Sequence, residues 1–192
     1  MARNNTRELT QKALFFAMLV VTSKIVIPLP LLDYLSLQII PVFLLYPLLG
    51  RKSGSEVILS YVILGVMGLP LFAAGGGLSY VLRPSFGFLI AFTLTPLLQS
   101  IFTKYFSRKN SGIFQQLIEV NYLSLLSIHL IGLLYKGMIL VFLMPSTPIM
   151  FHLLTVATLI DLACDALLVF MASVVTLRNT QMHKKIRRVS DR

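Results

Sequence analysis

YLSLLSIHLIGLLYKGMILVFLM, residues Tyr122–Met144, decides the fold class. A helix that crosses the hydrocarbon layer of a bilayer needs about 20 predominantly apolar residues, and this run supplies them. Its hydrophobicity is continuous rather than alternating, which favours a helix over a barrel strand. Phe151–Leu177 is a second run of the same kind. Outward from these lie four shorter ones, Ala13–Ile27, Leu35–Leu49, Val57–Phe72 and Phe86–Ile101. The last three of these need polar neighbours or tilt to complete a span. The expectation is an all-α protein: an integral membrane bundle of six transmembrane helices, a single domain over 1–192, with basic tails at about 1–9 and 178–192.

Composition agrees. Hydrophobic residues make up 56% of the 192 and charged residues only 12%, with a mean hydropathy of +0.83. Soluble domains carry about 25% charged residues, so this chain cannot clothe a compact globule in water. The net charge of +10 points to the membrane rather than to nucleic acid, because of where the charges sit. The N-terminal tail, the Gly50–Ser55 and Lys104–Gln116 loops and the C-terminal tail hold 14 of the 17 lysines and arginines. The opposite loops, Pro28–Tyr34, Ala73–Pro84 and Pro145–Met150, contain Arg83 alone, while Lys24 and Lys136 fall inside apolar runs. Cytoplasmic loops keep their positive charge, so both termini are expected in the cytoplasm of a multi-pass protein of the bacterial inner membrane. No nucleic-acid partner is expected. The first apolar run has a basic flank but no small-residue cleavage site, and reads as a retained helix. A single cysteine, Cys164, excludes an intramolecular disulfide and a paired-cysteine metal site.

Charged residues at membrane depth are the next signal. Asp161 and Asp165 stand four apart in the last run, on one helix face, and Lys136 lies in the preceding run. Acidic groups at this depth point to a partner or a cavity. Either a structural ion pair between two helices or a ligand-lining cluster fits. Arg83 could grip a carboxylate through two hydrogen bonds or snorkel to headgroups. The outer loops are rich in proline and glycine, with Pro28-Leu29-Pro30, Gly75-Gly76-Gly77, Pro145 and Pro148. Ala13 and Ala17 form a small-xxx-small pair, which permits close helix approach. Enzyme signatures are missing: there is no HExxH, no GxSxG and no complete P-loop, and Glu56 and His129 stand isolated. No catalytic residue, cofactor or metal site is expected, and any ATP hydrolysis belongs to another subunit.

From Ile27 to Phe92 the order of motifs resembles the BioY family, the biotin-specific S components of energy-coupling factor (ECF) transporters. The pieces are Ile27-Pro28-Leu29-Pro30, Leu37-Gln38, Gly65-Val66-Met67-Gly68-Leu69-Pro70-Leu71-Phe72-Ala73, the triple glycine, and Tyr80-Val81-Leu82-Arg83-Pro84-Ser85-Phe86-Gly87-Phe88. The resemblance implies a subunit that binds biotin at its outer face, beneath the loops joining helices one to two and three to four. It implies docking on an ECF coupling transmembrane subunit and two ATPase subunits, with Ala13 and Ala17 meeting the coupling subunit. Gln38, Gly75, Gly76, Tyr80 and Arg83 are the ligand-binding candidates it brings, joined by Lys136, Asp161 and Asp165. The family's sixth helix opens with a proline-glycine turn and Asp-x-x-Lys. Here Asp161 is present, but Cys164 stands where the lysine belongs and the proline-glycine turn is missing. Lys136 lies 9 residues before Pro145 and Asp161 lies 11 after Met150, depths of roughly 13 and 16 Å at ~1.5 Å per helical residue. Lys136 is therefore expected to replace the missing cation. Lipoate, which shares a valerate-like tail, is the alternative ligand, and a membrane-embedded enzyme or assembly factor the alternative outside transport.

Overall fold

The computed structural model describes residues 2–27, 35–106, 112–143 and 148–190, without the side chains of 2–4, 27, 35, 148–157 and 180–190. The expected loop features Pro28-Leu29-Pro30 and Pro145, and the basic residues Arg108 and Lys109, lie outside the described residues. Among the described residues there are five α-helices: α1 (Ala2–Lys24), α2 (Ile39–Val66), α3 (Phe86–Phe106), α4 (Ile113–Leu143) and α5 (Pro148–Ser190). Two-residue strands β1 (Val26–Ile27) and β2 (Leu35–Ser36) pair antiparallel, Val26 with Ser36 and Ile27 with Leu35. That pairing clips together the chain on either side of 28–34. Segments Phe86–Phe106, Ile113–Leu143 and Thr158–Asn179 are each long and apolar enough to cross a membrane.

The helices run past the apolar stretches at several ends. α1 begins eleven residues before Ala13, α4 nine before Tyr122, and α5 continues beyond Leu177. Hydropathy marks the length exposed to lipid, whereas lysine, arginine, glutamine and glutamate sustain a helix as well as leucine does. The third stretch is displaced the other way. Helix occupies 51–66, and Met67–Phe72 have left it in a turn before Pro70.

α2 is broken at Gly50, whose φ of 81° and ψ of 174° lie in a region that is essentially glycine-only. A Cβ on Gly54 would meet the backbone of Leu45 at 3.2 Å. Residues nine apart in a straight helix stand about 13.5 Å apart, so the second half folds back on the first. The Gly50–Ser55 loop expected from its charges contracts to this one residue.

α1 packs on α2, α2 on α3 and α5, α3 on α4, and α4 on α5, which closes the bundle. Its faces are inside out relative to a soluble protein. On α4, Leu126, Leu130, Leu134 and Val141 face outward, while Asn121, Ser124 and His129 are buried with Leu125 and Ile128. Lipid satisfies the outer leucines, so packing and buried hydrogen bonds hold the helices together. Gly87 and Gly132 let α3 and α4 approach closely: a Cβ on Gly132 would meet the Phe88 ring at 2.7 Å, and one on Gly87 would collide with Tyr135. Deeper in the bundle, Gln99 Nε2 donates to Phe43 O at 3.2 Å and to Asn121 Oδ1 at 2.7 Å. Asn121 Nδ2 donates onward to Ser173 Oγ at 2.8 Å, tying α2, α3, α4 and α5 together.

Candidate functional site

The ends of the bundle differ in chemistry. At one end Lys12 bridges Glu8 at 2.8 Å and Glu56 at 2.5 Å, and Ser53 donates to Glu8 at 2.8 Å. Those contacts join α1 to the residues that follow the Gly50 break. They hold the Glu8 carboxyl below its ordinary range, chiefly through Lys12, and the Lys12 ammonium above its own, chiefly through Glu56. Both groups are solvated, so the contribution to stability is small.

At the other end the segment between α2 and α3 is strapped down over the helices. Tyr61 Oη donates to Leu71 O at 3.0 Å, Ser23 Oγ to the same carbonyl at 2.7 Å, and Lys24 Nζ to Phe72 O. Tyr135 Oη, from α4, donates to Val81 O. Phe16, Tyr61, Phe72, Tyr80, Phe86 and Tyr135 form successive ring contacts with centroids 4.7 to 6.4 Å apart. This ladder seats a short 3₁₀ turn, Leu78–Leu82, and sends Tyr80 into the bundle.

Beneath the strap lies a cavity of about 100 Å³. β2 contributes Ser36, the N-cap position of α2 Gln38, the strap Phe72, Tyr80 and Ser85, α3 Phe88, α4 Lys136, and α5 Asp161 and Asp165. Gln38 is only 4% exposed, and its Nε2 has no hydrogen-bond partner among the described residues. A buried donor left unpaired costs about 1–3 kcal/mol, which makes this amide a candidate donor to a bound ligand. The aromatic walls and the convergent polar groups fit a small molecule with an apolar body and a polar head.

Five of the eight ligand candidates, Gln38, Tyr80, Lys136, Asp161 and Asp165, therefore meet at one cavity. Arg83 is exposed rather than lining, with its guanidinium 5.2 Å from the centre of the Tyr80 ring. Gly75 and Gly76 also stand outside the lining. Gly76 lies against the carbonyls of Leu69 and Gly65, where no side chain fits, and Gly77 N donates to Gly65 O at 2.8 Å. The triple glycine thus packs the strap against the end of α2. Cys164 is half-buried and is not part of the lining. Ala13 and Ala17 are exposed, on the face of α1 opposite buried Phe15 and Leu19.

Sequence reasoning missed His129. It lies on α4, 5% exposed, with Nε2 3.5 Å from Asp165 Oδ2. A polar ring at mid-span, seven residues before Lys136 and so on the same helix face, was the available signal. Ser36, Ser85 and Phe88 were missed as well, and nothing in their spacing marks them. A second cavity, of about 180 Å³, lies among Tyr46, Gln99, Asn121 and Thr176. It is the larger, but none of its lining residues carries a charge.

The model of the BioY family matches residues 1–185. Over 133 residues the chain is 38% identical to a "Probable biotin transporter BioY" of Lysinibacillus sphaericus, covering 69% of this chain and 66% of that one. It is 40% identical over 89 residues to the "Biotin transporter BioY" of Thermotoga maritima, covering 46% and 52%. The matched segments span between half and two thirds of those relatives' lengths. A crystal structure of "the S-component for biotin from an ECF-type ABC transporter" superposes with a TM-score of 0.69 at 20% identity, covering 94% of each chain. That likeness establishes the fold.

Proposed function

The chain belongs to the BioY family, and on that premise we propose that it is the biotin-binding S component of an ECF-type importer in the bacterial inner membrane. The observation that carries the reading is the convergence of Gln38, Tyr80, Lys136, Asp161 and Asp165 on one cavity. Biotin has two ureido N–H donors, a ureido carbonyl, an apolar bicycle and a carboxylate on a flexible tail. Asp161 and Asp165 accept from the ureido N–H groups, and Gln38 Nε2 donates to the ureido carbonyl. Phe72, Tyr80 and Phe88 pack against the ring system, with the tail directed towards Arg83 at the mouth. Lys136 offsets the carboxylates in the cation role that Cys164 cannot fill. Gly75 and Gly76 act at one remove, by seating the strap that carries Tyr80.

The break at Gly50 supports counting α2 as two helices, six in all. An even number of spans puts both termini on one side, and the basic residues make that side cytoplasmic. Exposed Ala13 and Ala17 offer a flat face on α1 for the coupling transmembrane subunit, through which two ATPase subunits drive uptake.

Competition on the purified protein tests the ligand. Labelled biotin should bind saturably and be displaced by unlabelled biotin, with lipoate at a hundred-fold excess leaving it in place. Displacement by lipoate at equal concentration would transfer the assignment to lipoate.

A further inference from the structure

We propose that His129 and Asp165 hold one proton between them, and that this shared proton positions Asp165 and balances the charge of the cavity for an acidic ligand. The proposal rests on the ligand reading above.

The geometry requires the proton. His129 Nδ1 lies 3.2 Å from Leu125 O, a carbonyl of its own helix. A carbonyl only accepts, so Nδ1 carries a hydrogen, and Nε2 of a neutral ring would present a lone pair. That lone pair faces Asp165 Oδ2 at 3.5 Å, within ion-pair reach, and Nε2 has no hydrogen-bond partner among the described residues. Two acceptors opposed in a buried site repel. A proton on either atom turns the repulsion into attraction. The Phe88 ring stands edge-on to the imidazole, with centroids 5.6 Å apart, and fixes its plane.

Charge gives the proton its consequence. The cavity is lined by Lys136 on α4 and by Asp161 and Asp165 on α5, two carboxylates against one ammonium. β2, the α2 cap and α2 contribute neutral Ser36, Gln38 and Ile39, α3 contributes Phe88, and the strap contributes Tyr80 and Ser85, with Arg83 over the Tyr80 ring outside the lining. With the proton, the group comprising Lys136, Asp161, Asp165 and His129 is neutral. Without it the group is negative, and a ligand carboxylate meets a like charge. His129 is not part of the lining, so it acts through Asp165 as a positioning residue. The sign follows: binding of an acid weakens as rising pH removes the proton.

Two measurements test this. In the ligand-free protein, the ¹⁵N signal of His129, identified by its loss in His129→Gln, should titrate together with Asp165 and move in Asp165→Asn. Biotin affinity should then be measured from about pH 5 to about pH 8, the range in which histidine changes charge. The wild type should weaken roughly ten-fold across it, and His129→Gln should bind roughly ten-fold more weakly at the lower pH, about one pKa unit of interaction. The double variant His129→Gln/Asp165→Asn, which keeps neither member of the proton-sharing pair, should bind without the pH dependence of the wild type. A His129→Gln protein with wild-type affinity and pH profile would overturn the proposal, as would a His129 signal indifferent to Asp165→Asn. A wild type that binds no biotin would overturn the ligand reading instead, and the histidine signal would still decide whether the proton is shared.

Discussion

Two buried glutamines differ in what their amide nitrogens find. Gln99 is fully buried; its Nε2 donates to Phe43 O and Asn121 Oδ1, while its Oε1 has no partner among the described residues. Gln38 is almost as buried, but its amide nitrogen finds no acceptor among the described residues. Gln99→Leu strands Asn121 and should cost about 1–2 kcal/mol of stability, measured by thermal or denaturant unfolding in detergent. Gln38→Leu removes an unsatisfied group and should leave ligand-free stability within about 0.5 kcal/mol of the wild type while weakening biotin binding at least ten-fold. Equal destabilisation by the two variants would make Gln38 a structural residue. Lys136→Met should weaken binding by about 3–5 kcal/mol, because it leaves buried carboxylates uncompensated, and adding Cys164→Lys should restore a good part. Normal binding by Lys136→Met would leave that lysine as a snorkelling residue.

Among the elements, α2 and α1 make the sharpest claims. The break in α2 rests on the conformation of Gly50, not on crowding: nothing lies within 4 Å of a Cβ built there. Gly50→Ala should therefore destabilise the protein by about 1–3 kcal/mol although there is room for the methyl. A melting temperature unchanged by this substitution would mean that an ordinary residue makes the turn. On α1, replacing Ala13 and Ala17 by leucine or tryptophan should abolish biotin uptake by cells while the isolated subunit still binds biotin. Loss of binding in step with uptake would place the pair inside the protein's own packing.

The three spans Phe86–Phe106, Ile113–Leu143 and Thr158–Asn179 were legible in the sequence because lipid demands long apolar runs. Gly50 was legible too, as the head of a basic loop, though its single-residue reversal depends on a dihedral angle that composition does not carry. Asp161, Asp165 and Lys136 were legible because charge at membrane depth needs a reason. His129 was not, since its meaning comes from a residue on another helix. The triple glycine was read towards the ligand, whereas Gly76 lies against the backbone of residues 65–69. Glycine marks close approach without naming what approaches.

At the scale of the whole molecule, the distribution of basic residues carries the proposed orientation, with both termini cytoplasmic. Single cysteines at Lys184 and Ser146, in a background with Cys164 replaced, should differ in labelling by an impermeant reagent on intact cells. The site at 146 should label and the site at 184 should not. The reverse pattern would invert the protein in the membrane.

Biotin is proposed to bind in the cavity under the strap. Calorimetric titration of biotin into the purified wild type and Asp161→Asn tests it most directly. The account predicts one saturable site in the wild type, weakened at least a hundred-fold in Asp161→Asn, a loss of about 2.7 kcal/mol, with the variant's ligand-free melting temperature preserved. Wild-type affinity retained in Asp161→Asn would contradict it.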